Sequence, residues 1–357
     1  MGIQSLNPGF VSRIFLSMNA PFVHLHIHTE FSLVDGIVRI KPLMKMVASS
    51  GMPAVALTDQ SNLFAMVKFY RAAIAQGIKP IIGVDARLVN PDDVDNPHRL
   101  LFLCLNNTGY LNLTKLVSMS YQQGQHRGVP MMAHSWLKNH NEGLLVLLGQ
   151  ASDFGQMLLK RNRDLAMETL AFWQKYFEGR IYFEICRVGR AHEESFLHTA
   201  VDIAADQGLP VVATNDVHFL RTDDFEAHEA RVCINEGRVL DDPRRPKNFT
   251  EQQYFRSVEE MQTLFSDIPE ALENSLEIAK RCTIELSLGK NYLPDFPVPE
   301  GKTMEQYFGE LAKAGLEERL ANILDVNADD FSEKRKIYDE RLQVELDVIN
   351  NMGFPGY

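Results

Sequence analysis

Short, unbroken apolar runs alternate along this chain with longer stretches in which apolar residues recur every three or four positions. The runs 22–28 (FVHLHIH), 54–58 (AVALT), 80–84 (PIIGV), 100–105 (LLFLCL), 144–148 (LLVLL), 181–185 (IYFEI) and 211–214 (VVAT) read as strands. Between them, helices are expected over 43–50 and 62–76, closed by Gly51 and Gly77, around 111–118, through a long stretch carrying Trp173 and Phe177, and around 194–207. Apolar strands separated by helices imply a parallel sheet covered on its faces, and about seven such units suit closure into a barrel. Further on, 258–265 and 269–282 read as an amphipathic helix pair, and 240–248 (LDDPRRPKN) as a solvated connection. A proline-rich segment, 293–301 (LPDFPVPEG), precedes two more helices, 304–324 and 333–352.

The polar residues that interrupt this pattern gather at strand ends: His26 and His28, Asp59, Asp85, Glu184, Asp216 and His218. In parallel α/β barrels the carboxyl ends of the strands form the active-site face. Strict alternation in His24-Leu-His26-Ile-His28 puts three imidazoles on one strand face, with Asp35 in the loop beyond. Such a set reads either as hydrogen-bonded surface histidines or as ligands of Zn, Mn or Fe rather than Ca. Asp59 at a loop start also reads as a helix cap.

Composition narrows the classes. The chain has 357 residues, 45% of them hydrophobic, which is ample for one large α/β unit and a smaller one. Its formal net charge of −11 makes it, as a whole, a poor binder of a phosphate backbone. Cys104, Cys186, Cys233 and Cys282 are far apart and form no metal or disulfide motif, which suits a reducing cytoplasm. No apolar run reaches membrane-spanning length. Residues 1–17 are expected to be a disordered leader, with Met18 an alternative start.

Several motifs together resemble the polymerase and histidinol phosphatase (PHP) domain. They are His26-Ile-His28-Thr…Asp35-Gly36, Leu57-Thr58-Asp59, Gly77-Ile-Lys-Pro-Ile-Ile-Gly-Val-Asp85 and Ala213-Thr-Asn-Asp216-Val-His218. HLHIHTEFSLVDG, NLFAMVKFY, GIKPIIGVD, NNTGYLNL, GLPVVATNDVHF, AHEARV, IPEALENSLEIAKRC and NMGFPGY, in that order, are more specifically similar to the N-terminal part of the catalytic alpha subunits of C-family bacterial replicative polymerases. The resemblance implies a distorted (β/α)7 barrel of PHP type over residues 18–287 and the beginning of a mainly helical palm domain over 288–357.

It also implies a metal cluster at one mouth of the barrel, with His26, His28, Asp35, Asp85, Asp216 and His218 in ligand positions and Glu184 beside them. Three positions depart from the pattern: Gln60 and Val188 stand where histidines are usual, and Arg99 occupies a third histidine position with His98 beside it. Glutamine is a weak neutral ligand, valine binds nothing, and arginine brings a fixed positive charge. Either one divalent metal (Zn, Mn or Fe) or none is therefore expected, with Arg99 pairing to the carboxylates. A slip that brought in His98 would turn it to the opposite strand face.

The resemblance further implies a cytoplasmic replicase with Mg-dependent polymerisation in the full-length protein. Its polymerase aspartates would lie beyond Tyr357, and its DNA would be bound mainly by downstream domains. The barrel then has two candidate functions. The first is a scaffold that docks the proofreading exonuclease (epsilon) subunit alongside other replicase subunits. The second is a metal-dependent phosphohydrolase acting on pyrophosphate or DNA 3′ ends, with Asp216 and His218 positioning the water. A histidinol-phosphate phosphatase shares the metal motif but has no need of the NMGFPGY tail.

Overall fold

The computed structural model describes residues 22–290 and 296–357; the expected leader and residues 293–295 of the proline-rich segment lie outside them. Six strands lie side by side in chain order: β1 (Ala54–Leu57), β2 (Lys79–Leu88), β3 (His98–Cys104), β4 (Leu144–Leu148), β5 (Ile181–Ile185) and β6 (Val211–Ala213). The pairs β1/β2, β4/β5 and β5/β6 are parallel. Strand β3 runs antiparallel to both neighbours, which corrects the all-parallel expectation. The reason is local: residues 89–97 hold no helix, and a parallel return needs a crossover long enough to carry one. Around the sheet run α1 (Ile40–Ser49), α2 (Met66–Ala75), α3 (Asn107–Gln122), α4 (Asp153–Leu159), α5 (Arg163–Tyr176), α6 (Glu193–Gln207), α7 (Phe225–Glu236), α8 (Val258–Leu264) and α9 (Pro269–Arg281).

Residues 22–28 are the seventh stave, although their ladder is broken. Toward β1, Ala56 N–H donates to His24 O (3.0 Å) and Thr58 N–H to Ile27 O (3.1 Å). On the other side, His28 N–H donates to Val217 O (2.8 Å) and Val217 N–H to His26 O (3.0 Å). The segment thus joins the two edges of the sheet into a distorted α/β barrel. Its bonds to β1 fall on residues 24 and 27 but on 56 and 58 of the partner, so one extra residue is accommodated. This is the signature of a β-bulge, which shifts the phase of the pleat. Val23 and Leu25 pack inside the barrel with Ala54, Ala56, Ile81, Leu101, Leu147 and Val212, yet His26 and His28 also turn toward the barrel mouth.

His24 is diverted by the same shift. Its Nε2–H donates to Arg256 O (2.9 Å), its ring sits between Phe22 and Phe255, and burial lowers its pKa to about 4. The expectation that all three histidines share one face is corrected accordingly.

Helix α9 plugs the barrel from beneath, with Ile278, Ala279 and Cys282 in the same apolar cluster. The buried Lys79 ammonium donates to Ala279 O (2.7 Å) and Lys280 O (3.4 Å), meeting the negative end of that helix. A first compact unit ends at Glu285, and a second spans Leu286–Tyr357. The second unit is built on α10 (Met304–Ile323), opened by a Thr303/Gln306 capping box, and α11 (Phe331–Asn351). Among the described residues no helix is long and apolar enough to cross a membrane.

Candidate metal centre

The bulge, the end of β2, the start of β3 and the turn after β6 converge at one mouth of the barrel. His26, His28, Asp85, Asp216 and His218, distant in sequence, meet there and are all buried. Each histidine has its Nδ1 tied to an oxygen on the far side. His26 Nδ1–H donates to Glu184 Oε1 (2.7 Å), itself fixed by the Thr214 hydroxyl (2.7 Å). His28 Nδ1 pairs with Ser32 Oγ (3.0 Å), whose own proton goes to Asp59. His218 Nδ1–H donates to the Asp35 carbonyl, which also accepts from His228 Nε2 (2.9 Å).

All three Nε2 atoms therefore face one another and the carboxylates. His26 Nε2 lies 3.2 Å from His28 Nε2 and 3.1 Å from Asp216 Oδ1. His218 Nε2 lies 3.0 Å from Asp216 Oδ1, and His28 Nε2 lies 3.3 Å from Asp85 Oδ2. Nδ1 anchored to oxygen with Nε2 turned inward is how metal-ligating imidazoles are held. In neutral imidazoles these contacts set lone pair against lone pair, so the cluster calls for positive charge. The donor set fits one divalent cation, held by His28, Asp216 and His218 or by His26, His28 and Asp85.

Two guanidinium groups already supply positive charge from the side. Arg99 donates to Asp85 Oδ2 through Nε (3.0 Å) and Nη2, and Arg190 donates to Asp216 Oδ2. Gln253 Nε2 adds a bond to the same Asp216 oxygen (3.1 Å). Burial would raise both carboxyls, but Arg99 at Asp85, and His26 and Arg190 at Asp216, outweigh it and hold both well below the usual carboxylate range. Burial would depress His26, yet the charges of Asp216 and Glu184 push it up to about 10. His28, facing Asp35 and Asp85, rises to about 9 despite its burial, while His218 is lowered by burial. The 3.2 Å contact between His26 and His28 has room for a single proton on the shared side.

Asp35 lines the same cleft as Asp85 and Asp216 but belongs to neither three-residue ligand set. Its carboxylate is 3.3 Å from His28 Nδ1, the ring nitrogen that faces away from Asp85 and Asp216. Gln60 Oε1 accepts from Arg87, and Val188 is fully buried with its N–H on Glu193 Oε2 (2.9 Å). Asp59 is not a helix cap; it accepts from Thr29 N (2.6 Å), Thr29 Oγ1 and Ser32 Oγ and so fixes the turn beneath His28. The 240–248 connection is not wholly solvated either. Arg245 pairs with Glu229, their side chains 10% and 6% exposed, and Phe249 beyond it packs edge-on against His218 and His228.

Arg190, Gln253 and His228 escaped the sequence reading. Arg190 lies only two residues past Val188, and a cation that close to a lost ligand position was the available signal. Gln253 carries none. The cluster opens on a cleft of about 620 Å3 lined in part by Arg87, Arg99, Gln150, Arg190 and Phe249.

Residues 24–188 match the family model of the PHP domain. The chain is 50% identical over 341 residues to the DNA polymerase III subunit alpha of Pseudomonas aeruginosa, covering 95% of this chain. It is 50% identical over 337 residues to that of Escherichia coli K12, covering 94%. In both cases it spans 29% of the relative's length. Among solved structures, an amidohydrolase from Chromobacterium violaceum with bound sulfate and no metal aligns over 58% of this chain and 96% of its own, at 14% identity and a TM-score of 0.41.

Proposed function

We propose, from the premise that residues 24–188 are a PHP domain in a chain half identical to DNA polymerase III alpha subunits, that this barrel is the N-terminal region of a replicative polymerase catalytic subunit and works there as a scaffold. Its mouth is a charge-balanced hub holding at most one divalent cation, not a multi-metal phosphoesterase centre. The observation that carries this reading is the pair of guanidinium groups on Asp85 Oδ2 and Asp216 Oδ2. A cation fixed on a carboxylate oxygen repels a metal ion and takes up the lone pairs a second ion would need. On this reading DNA synthesis and its Mg belong to the whole protein, and the barrel offers a face to a proofreading exonuclease subunit within a multi-subunit replicase.

A second reading has its own observation: three inward Nε2 atoms meet Asp216 Oδ1. A single Zn, Mn or Fe ion there would lower the pKa of a bound water and polarise a phosphoryl oxygen. His28, Asp216 and His218 would hold it, Glu184 would orient His26 through Nδ1, and Arg99 and Arg190 would meet phosphoryl charge at the mouth. The two readings separate in one assay, phosphate release from pyrophosphate and nucleotide release from DNA 3′ ends with Mn or Zn added. The scaffold reading expects neither product above a His26→Ala/His218→Ala control. Metal-dependent turnover lost in that control establishes the hydrolase. Docking is tested by co-elution of the chain with the cognate exonuclease subunit; separate elution at micromolar concentrations removes that part of the proposal.

A further inference from the structure

Arg99 points into the barrel, so its neighbour His98 points out, and the structure gives that outward imidazole a setting of its own. His98 is 4% exposed and lines a second cleft of about 520 Å3 on the outer side of β3. Among the described residues neither of its ring nitrogens has a hydrogen-bond partner. Neither nitrogen is sealed from solvent, so both are open to a hydrogen-bond donor in the cleft.

The same cleft contains His134, and that imidazole is deliberately oriented. Asp153 accepts from Phe154 N (2.8 Å) and from Trp173 Nε1 (3.1 Å to each oxygen), which fixes the carboxylate. His134 Nε2–H donates to Asp153 Oδ2 at 2.8 Å, leaving Nδ1 without a protein partner. The cleft thus offers acceptor nitrogens on two separate imidazoles. Acidic groups outnumber basic ones in its lining, with Asp92, Asp153 and Glu168 against Lys138. Phe172 supplies an aromatic wall, edge-on to His134 at 5.4 Å. Burial lowers the His98 pKa, consistent with a neutral acceptor. Sets of three metal-ligating groups within reach of one ion occur among the described residues only at the barrel mouth, so a metal is not the ligand indicated.

We propose that this outer cleft binds an organic cation of the guanidinium or alkylammonium type, presented as an arginine side chain of a partner polypeptide or as a free polyamine. Acceptor imidazoles, an acidic lining and an aromatic wall are the complement of such a head group: its N–H donors meet nitrogen lone pairs, its charge meets the carboxylates, and its face meets the ring.

The test uses the full chain with 13C-labelled histidine and follows the His98 and His134 ring signals. The probes are agmatine, spermidine, an arginine-containing peptide and the same peptide with citrulline, whose head is isosteric and neutral. Saturable shifts with the cationic probes and none with citrulline support the site. Tighter binding of the arginine peptide than of agmatine identifies a partner side chain; equal or tighter binding of the free amines identifies a polyamine. His98→Ala should weaken binding roughly tenfold, the cost of a charge-assisted hydrogen bond. Should His98→Ala fail to fold, the exposed pair Asp92→Asn/Glu168→Gln takes its place and should weaken binding several-fold. Equal shifts with arginine and citrulline peptides, or affinity unchanged in a folded variant, overturn the proposal.

Discussion

Replacing Arg99 by methionine is the sharpest perturbation of the barrel mouth. Arg99 gives two N–H bonds to Asp85 Oδ2, and the Asp85 side chain is 2% exposed. Breaking a buried ion pair on one side costs about 3–5 kcal/mol, chiefly because the surviving charge is left uncompensated. Two features reduce that figure here. The Arg99 side chain is 27% exposed, and His28 and His26 stay 3.3 and 3.7 Å from the same oxygen. The expected loss without metal is therefore about 2–3 kcal/mol, with methionine keeping most of the stem's packing.

A divalent cation should then repair the variant better than it stabilises the parent, because Asp85 Oδ2 is no longer taken. Binding to the folded state alone adds about 2.7 kcal/mol at a hundred times Kd. Both tryptophans, Trp136 and Trp173, lie in the first compact unit, so urea denaturation followed by their fluorescence reports on the barrel. The reasoning is refuted if Arg99→Met matches the parent within about 0.5 kcal/mol, the scatter of an ordinary surface change. It is equally refuted if Mn or Zn stabilises both proteins by the same amount.

Three further outcomes follow from neighbouring contacts. His26, raised from 6.5 to about 10, binds its proton more tightly in the folded state; its contribution is full below pH 6.5 and is lost as pH rises through about 10. Between pH 6 and pH 10 the metal-free parent should therefore lose more stability than His26→Gln does, and equal losses by urea titration would contradict the assignment. Lys79→Ala removes the ammonium from the C-terminal carbonyls of α9 and should cost about 2–3 kcal/mol, measurable in the same denaturation curves; a neutral result would mean that the helix closes the barrel without it. Gln253→Ala deletes the bonds from a fully buried amide to Asp216 Oδ2 and Asp216 O and should cost about 1–3 kcal/mol, against no change if that contact is incidental.

Much of the barrel was legible in the sequence because a strand buried on both faces must be written in apolar residues. LLVLL at 144–148 and IYFEI at 181–185 are observed at those bounds. The reversal at β3 was less obvious, although its signal was present: residues 89–97 contain no helical pattern, and only a reversing connection is that short of structure. His26, His28, Asp85, Asp216 and His218 were legible as a group because polar residues at the ends of apolar strands have few other reasons to be there.

What pattern reasoning missed lies in phase and in distance. Alternation assumes an unbroken pleat, whereas the extra residue between 24 and 27 sends His24 to Phe255 and turns His26 and His28 into the mouth. Arg190 and Gln253 act on a carboxylate 26 and 37 residues away in sequence, through loops with no periodicity to read. The Arg245–Glu229 pair was hidden by composition, since a basic, proline-marked run looks solvated wherever it lies.

The central claim is that two guanidinium groups have taken positions in which a multi-metal centre would need free carboxylate oxygens. The most direct test is metal stoichiometry, measured by mass spectrometry on protein purified without chelator and equilibrated with Mn, Zn and Fe, with phosphate release from pyrophosphate followed on the same sample. One ion per chain or fewer, with no phosphate released, is the result expected. Two or more tightly held ions accompanied by steady release would show that Arg99 and Arg190 leave the carboxylates free, and would contradict the account.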